Sequence, residues 1–317
     1  CRAVAGLVAA ASAPCPCRKA PVMMRPALSR RRFLCLTAAA LLPAAGRARS
    51  VTEWQGIGLG GAVSLRLVGA EPQQAHRAFA AIEAEIGRID ALASLHRDSA
   101  LTRLNRDGRL DWPSPELLSL LALADRVHAA TGGAFDPTVQ PLWRAIATGG
   151  DQARARALTG WGRVSRSAEE IRLAPGQQLT LNGIAQGWAA DRIAAGLRAQ
   201  GFADALIDMG EIAALGRRDD GKPWRAAIAG PDGAILGQAT LANRAVATSS
   251  PRGTLIGGGL PHILGPAGQP PLWQTVSVSA PSAALADALS TAFCLMDRPA
   301  IVRALAVFPA AQLEMLA

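Results

Sequence analysis

Leu179-Thr-Leu-Asn-Gly-Ile-Ala-Gln-Gly-Trp-Ala-Ala-Asp-Arg192 changes character twice within one short stretch. Leu179-Thr-Leu181 alternates apolar and polar residues, as a short strand does. Asn182 to Gly187 is a glycine-containing turn, and Trp188 to Gln200 reads as a helix. Gly183 and Gly187 let the backbone approach a ligand closely, and the helix N-terminus offers N–H groups to an anion. The glycine spacing is not that of a dinucleotide-binding fingerprint, and no Walker lysine follows. Taken alone, the segment is more often a plain tight turn.

Outward from this unit, strands and helices alternate. Ala205-Leu-Ile-Asp208 is the next strand and ends at Met209-Gly-Glu211. Val63 to Val68 alternates apolar and polar and reads as an early strand; Trp224–Ile228, Gln238–Leu241 and Thr275–Ser279 read as later ones. Trp161 and Val164 mark edge strands. Ala75 to Ala93 places Phe79, Ile82, Ile86 and Ile89 at helical spacing. Ser114 caps a second helix with Pro115 at its first position, running to about Thr131 before Gly132-Gly133. Ala134 to Thr138 is a turn, and Gly257-Gly-Gly259 a flexible loop. The pattern predicts an α+β or mixed α/β domain.

After Ser279 comes Ala286-Asp-Ala-Leu-Ser-Thr291 on a further helix that starts near Pro281 and Ser282. Asp287 and Thr291 stand four apart and share one face. A carboxylate beside a hydroxyl suits Mg²⁺ or Ca²⁺ and a phosphate-bearing substrate. Such a pair by itself more often describes a solvated helix face.

The 317 residues are half hydrophobic, enough for a buried core. The net charge of +9 is concentrated in residues 1–48, which hold eight basic groups and no acids, so +1 remains for 49–317. That balance gives no electrostatic case for nucleic acid. Ser29-Arg-Arg-Arg-Phe-Leu34 is a twin-arginine signal, followed by an apolar run to Ala45 and a cleavage-like Gly46-Arg-Ala48. Residues 1–48 are therefore expected to be a leader, with 1–22 upstream of a start at Met23 or Met24. The apolar run is too short for a stable membrane span, and the expected location is the periplasm. Cys1, Cys15, Cys17 and Cys35 lie in the leader; Cys294 remains, in an apolar run, and reads as a small core residue.

Several segments occur in one order: Asp98-Ser-Ala-Leu-Thr-Arg-Leu-Asn105, Gly133-Ala-Phe-Asp-Pro-Thr-Val139, Leu181 to Asp191, Asp208-Met-Gly-Glu-Ile212, Ala247-Thr-Ser249, His262-Ile-Leu264 and Ala286 to Thr291. In order and spacing this resembles the ApbE family, the FAD:protein FMN transferases, from about Val63 to the C-terminus. The wording around Thr180 to Gly187, with the twin-arginine leader, is most similar to the NosX-type branch that serves nitrous oxide respiration. The resemblance implies a single α+β, T-fold-related transferase domain over 49–317. It implies FAD as substrate, Mg²⁺ (or Ca²⁺) as the metal, and transfer of FMN to a Thr or Ser hydroxyl of an exported redox protein with release of AMP. The acceptor would carry a Ser/Thr-Gly-Ala-Ser/Thr motif.

Residue by residue, the resemblance makes Asp287 and Thr291 side-chain metal ligands and the Gly183 carbonyl a third. Ala134, Phe135, Asp136, Thr180 and Gln186 fall where the family touches FAD, and Leu264 falls against the flavin nucleotide. His262 falls at the family's histidine, which handles the proton of the acceptor hydroxyl. His96 sits where some members carry a flavin-stacking Tyr. Glu211, with Asp208, either caps the next turn or contacts the ribose or adenine. His76 and His128 read as surface residues and Trp188 as core. Three departures stand out. Gln186 replaces the usual Lys or Glu, the run after His262 is one residue short and lacks the family's Asp and Thr, and the chain has no Tyr. The alternatives are an FAD pyrophosphatase on the same site and a flavin-binding accessory protein without turnover.

Overall fold

The computed structural model describes residues 49–317. The twin-arginine segment and the leader cysteines lie outside the described residues. Strands β1 (Val51–Gly58) and β2 (Gly61–Val68) open the described chain. They are followed by α1 (Pro72–Ala93), α2 (Ala100–Asp107), β3 (Arg109–Asp111), α3 (Pro115–Ala130), α4 (Gln140–Thr148) and α5 (Gln152–Ala157). Next come β4 (Ser165–Arg166), β5 (Glu170–Arg172), α6 (Ala185–Ala199), β6 (Ala205–Asp208), β7 (Ile212–Leu215), β8 (Trp224–Ala229) and β9 (Ile235–Leu241). The chain ends with β10 (Ala245–Ser249), β11 (Leu255–Ile256), β12 (Leu260–Pro261), β13 (Val276–Ala280), α7 (Ala283–Phe293), α8 (Arg298–Val307) and β14 (Gln312–Leu316).

Seven strands form one sheet in the order β1-β2-β6-β7-β10-β13-β14, and its pairings are antiparallel. Side chains on a strand alternate between faces. Ala205 and Ile207 of β6 accordingly join the large core shared with the helices, while Leu206 joins a smaller core under the β8–β9 hairpin. The central sheet is thus covered on both faces, which is why β6 and β7 read as unbroken apolar runs. Helices on one face of an antiparallel sheet make the α+β class expected from the sequence.

Helix α7 shows how the site is anchored. Ser282 caps it by accepting the Leu285 N–H. Leu289 and Phe293 on α7 are fully buried, and truncating such side chains typically removes about 2–5 kcal/mol of stability. At the functional pair Asp287 is 3 % exposed and Thr291 is half-buried.

Three local expectations differ from what forms. Leu179-Thr-Leu181 is extended but has no strand neighbour. The Asn105 side chain takes its place, donating to the Leu179 carbonyl at 2.8 Å and accepting the Leu179 N–H at 2.7 Å. Trp161 sits in a 3₁₀ turn, Trp161–Arg163, held by its indole N–H on Asp125 at 2.8 Å. Gly257–Gly259 is a 3₁₀ turn joining β11 to β12, and Gly257 presses on the end of α4.

Candidate active site

The site begins where α6 meets α7. A Cβ placed on Gly187 would lie 2.3 Å from the Ala283 carbonyl oxygen, so this glycine serves helix contact rather than ligand approach. One turn later Asp191 caps α7, accepting the Ser282 hydroxyl at 2.7 Å and the Ala283 and Ala284 N–H groups at 2.7 and 2.9 Å. Burial pushes the Asp191 carboxyl above its usual range, against the pull of those donors. The Gly187 N–H donates to Asp287 Oδ2 at 3.1 Å. The Ile184 and Ala185 N–H groups both reach the Leu181 carbonyl, at 3.0 and 2.8 Å. Much of the α6 N-terminus expected to face an anion is thus engaged within the chain.

What remains at that corner is a set of oxygens. Gly183 packs on Thr291, with a virtual Cβ only 3.1 Å from Thr291 Oγ1. Ser249 Oγ lies 3.3 Å from Thr291 Oγ1 and 2.9 Å from Ser290 Oγ. Among the described residues no group of three or more His, Cys, Asp or Glu gathers to hold a metal. The chain offers one carboxylate, a hydroxyl and backbone carbonyls. This donor set fits a hard cation that completes its shell with substrate phosphate oxygens. Nearby, burial pushes the Cys294 thiol up, consistent with a core residue.

These groups border a cleft of ≈ 860 Å³, within the range of about 300–1,000 Å³ typical of small-molecule sites. Its wall includes His96, Thr180, Gly183, Gln186, Glu211, His262, Leu264, Asp287 and Thr291. Gln186 packs against Gly210, where a Cβ would stand 2.6 Å from Nε2. Glu211 Oε2 accepts the Thr248 N–H at 3.2 Å, and Asp208 accepts the Gly210 N–H at 2.9 Å. Ala134, Phe135 and Asp136 are not part of that wall. Asp136 caps the turn Pro137–Val139 through the Thr138 N–H and hydroxyl. The Phe135 carbonyl contacts His128 Nδ1 at 2.8 Å, so the half-buried His128 ties α3 to this turn.

His262 lines the same cleft from the segment after β12. Its Nδ1 lies 2.8 Å from the Pro251 carbonyl and 3.1 Å from that of Thr254. Carbonyls only accept, so Nδ1 carries the hydrogen, and the lone pair of the neutral ring is on Nε2. Trp143 Nε1 donates to the His262 carbonyl at 3.1 Å and fixes the backbone. The shortened run that follows closes as a turn, with the Gly265 N–H on the Gln269 carbonyl at 3.0 Å.

Sequence reasoning missed the tip of the β8–β9 hairpin. Gly230-Pro-Asp-Gly233 lines the cleft, together with Gln140, Trp143 and Ser250. A Pro-Asp-Gly turn between two strands is a visible signal, but nothing local says where the hairpin folds.

Residues 59–315 match the ApbE family. The FAD:protein FMN transferase of Klebsiella pneumoniae is 28% identical over 282 residues, covering 80% of this chain and 80% of that protein. The apo flavinyl transferase ApbE of Pseudomonas stutzeri is 30% identical and superposes with a TM-score of 0.69, over 82% of this chain and 87% of that one. The ApbE protein of Thermotoga maritima superposes with a TM-score of 0.73 at 25% identity, over 83% of this chain and 93% of that one.

Proposed function

The chain belongs to the ApbE family, and on that footing we propose that it is an FAD:protein FMN transferase of the periplasm. It takes FMN from FAD, attaches it to a Thr or Ser hydroxyl of an exported redox protein, and releases AMP. The observation that carries this reading is one cleft lined both by the hard-oxygen corner at Asp287 and Thr291 and by the His262 imidazole. FAD, Mg²⁺ and the acceptor hydroxyl need those two walls.

Asp287, Thr291 and the Gly183 carbonyl would hold Mg²⁺. When bound, it offsets charge on the pyrophosphate oxygens. The protein's own groups do the rest. The Pro251 carbonyl holds His262 with its Nδ1 hydrogen inward, so Nε2 takes the proton of the acceptor hydroxyl. The acceptor oxygen bonds to the FMN-side phosphorus as the bond from that phosphorus to the bridging oxygen breaks. AMP leaves with that oxygen. Gln186 and Glu211 line the nucleotide's path, and Leu264 supplies an apolar surface for the flavin. A NosX-type role, maturing a flavoprotein of nitrous oxide respiration, is the finer form of the same proposal.

The test is incubation with FAD, Mg²⁺ and a flavin-accepting domain carrying the Ser/Thr-Gly-Ala-Ser/Thr motif, read by intact mass and AMP release. An FMN phosphoester adduct with equimolar AMP is expected. Free FMN with AMP would identify a pyrophosphatase, and bound FAD without AMP a binding protein. Export is tested separately. Changing Arg30 and Arg31 to Lys should trap the precursor in the cytoplasm, and normal periplasmic appearance would rule the twin-arginine route out.

A further inference from the structure

The His262 wall has a small core of its own. Leu142, Ala145, Ile146, Ala155 and Ile256 hold α4, α5 and the β11–β12 hairpin together, while Trp161, Val164 and Ile263 of the same segments join the main core. The segments 140–164 and 250–274 that build this wall carry five arginines, Arg144, Arg154, Arg156, Arg163 and Arg252, against one acid, Asp151. Asp151 is engaged in capping α5. With +4 here and +1 for 49–317 as a whole, the rest of the described chain carries −3. Arg144, Arg154, Arg156 and Arg252 are exposed and form no ion pair with a carboxylate among the described residues.

Two of these charges lie next to cleft-lining segments. Arg252 stands between Ser250 and Gly253, both in the cleft wall. The Arg156 guanidinium lies against the loop after His262, where a Cβ on Gly268 would be 2.7 Å from its nitrogen. On the hairpin leading into His262, Leu255 and Leu260 are 53% and 47% exposed. Exposed leucines on the hairpin leading into His262, in segments that carry an excess of arginine, describe a docking face with a polar rim.

We propose that this face docks the acceptor protein through an acidic segment that also presents an apolar side chain, so that the acceptor hydroxyl enters from the His262 side. The proposal rests on the transferase reading. Complementary charge would raise the encounter rate and orient the partner, an effect weakened by salt.

The experiment uses the full chain with FAD, Mg²⁺ and two flavin-accepting domains. One has acidic residues flanking its Ser/Thr-Gly-Ala-Ser/Thr motif, and the other has those acids changed to amides. Arg156→Glu with Arg252→Glu should raise the apparent KM for the acidic acceptor by roughly tenfold or more at low salt. FAD affinity and kcat should hold, and the preference for the acidic acceptor should vanish. Arg156→Lys with Arg252→Lys should restore most of the effect, which guards against a folding defect. Leu255→Ser with Leu260→Ser should raise KM for both acceptors alike. An unchanged KM in the charge-reversed protein would overturn the proposal. A fall in FAD affinity would do so too, by assigning the arginines to the nucleotide. Self-association of the wild type that the same substitutions abolish would give the face to a second copy of this chain and overturn it as well. If the wild type transfers FMN to neither acceptor, the transferase reading itself fails, and that outcome is distinct from the others.

Discussion

Gly187 and Gly257 meet the same obstacle in two different settings. A Cβ on Gly187 would lie 2.3 Å from the Ala283 carbonyl, and one on Gly257 would lie 1.8 Å from the Ile146 carbonyl. Gly187 sits between α6 and α7, inside the main core, with Asp191 and Asp287 bonded across the same contact. Gly257 sits in a two-residue-strand hairpin resting on a separate, five-residue core. Ile263, beside His262, joins the main core, whereas the hairpin tip at Gly257 rests on the small one, so the tip is the part expected to shift. The difference suits the work proposed for each part of the cleft. A metal and a nucleotide need oxygens held in fixed positions, whereas a protein acceptor has to enter, react and leave.

The comparison can be broken at several points. The largest effect is expected at the fixed wall's own chemistry. Asp287→Ala should slow AMP release by roughly 10³-fold or more, the several kcal/mol of a lost metal ligand. It should lower stability by only about 1 kcal/mol, from the Gly187 N–H left without its acceptor. Turnover unchanged in this variant, or unchanged by EDTA in the wild type, would leave Asp287 as a helix-packing residue alone.

The paired glycine substitutions come next. Gly187→Ala should destabilise by about 3 kcal/mol, the upper part of the overpacking range, because two packed helices must separate. Gly257→Ala should lower global stability by about 1 kcal/mol or less, since the hairpin can shift. Urea unfolding of both variants gives the contrast directly. Equal losses would mean that the two walls are equally rigid.

The smallest effect is at the outer support of the fixed wall. Glu85 on α1 binds Arg192 on α6 at 2.7 Å and also pairs with Arg88. Burial opposes ionisation of Glu85, but the Arg192 and Arg88 guanidiniums hold its carboxyl below the usual value. Its folded-state value is lowered, so this contribution is present above the ordinary carboxylate range and is lost as pH falls through and below it. Glu85→Gln should therefore lose about 1–2 kcal/mol at pH 7 and have a flatter acid limb in thermal melts. A variant with an unchanged acid limb would show that the pair contributes nothing to that wall.

The sequence was most legible where local chemistry and tertiary structure agree. Ser114 with Pro115, the alternation of Val63 to Val68, and the Ile82, Ile86, Ile89 stripe each form what their pattern predicts, since burial of one face enforces the pattern. Legibility failed where a distant side chain replaced a backbone partner. Asn105 pairs with Leu179 across a separation of 74 residues, and no strand pattern contains that fact. Asp287 and Thr291 were readable as a pair from helical spacing, but the burial of Asp287 was not, because the neighbours packed on α7 come from β10, β13 and α6. Gly187 looked like a ligand glycine; only the arrival of α7 makes it a helix-contact glycine. The β8–β9 tip was invisible as a cleft element for the same reason.

The account stands or falls on the two walls doing separable work, and one measurement addresses that: single-turnover FMN transfer in wild type and His262→Ala, with FAD binding followed in parallel. If His262 takes the acceptor's proton as proposed, His262→Ala should slow transfer by roughly 10²–10⁴-fold, while FAD affinity stays as in the wild type. An unchanged transfer rate, or normal turnover with weakened FAD binding, would contradict it and leave His262 as a loop residue or a nucleotide contact.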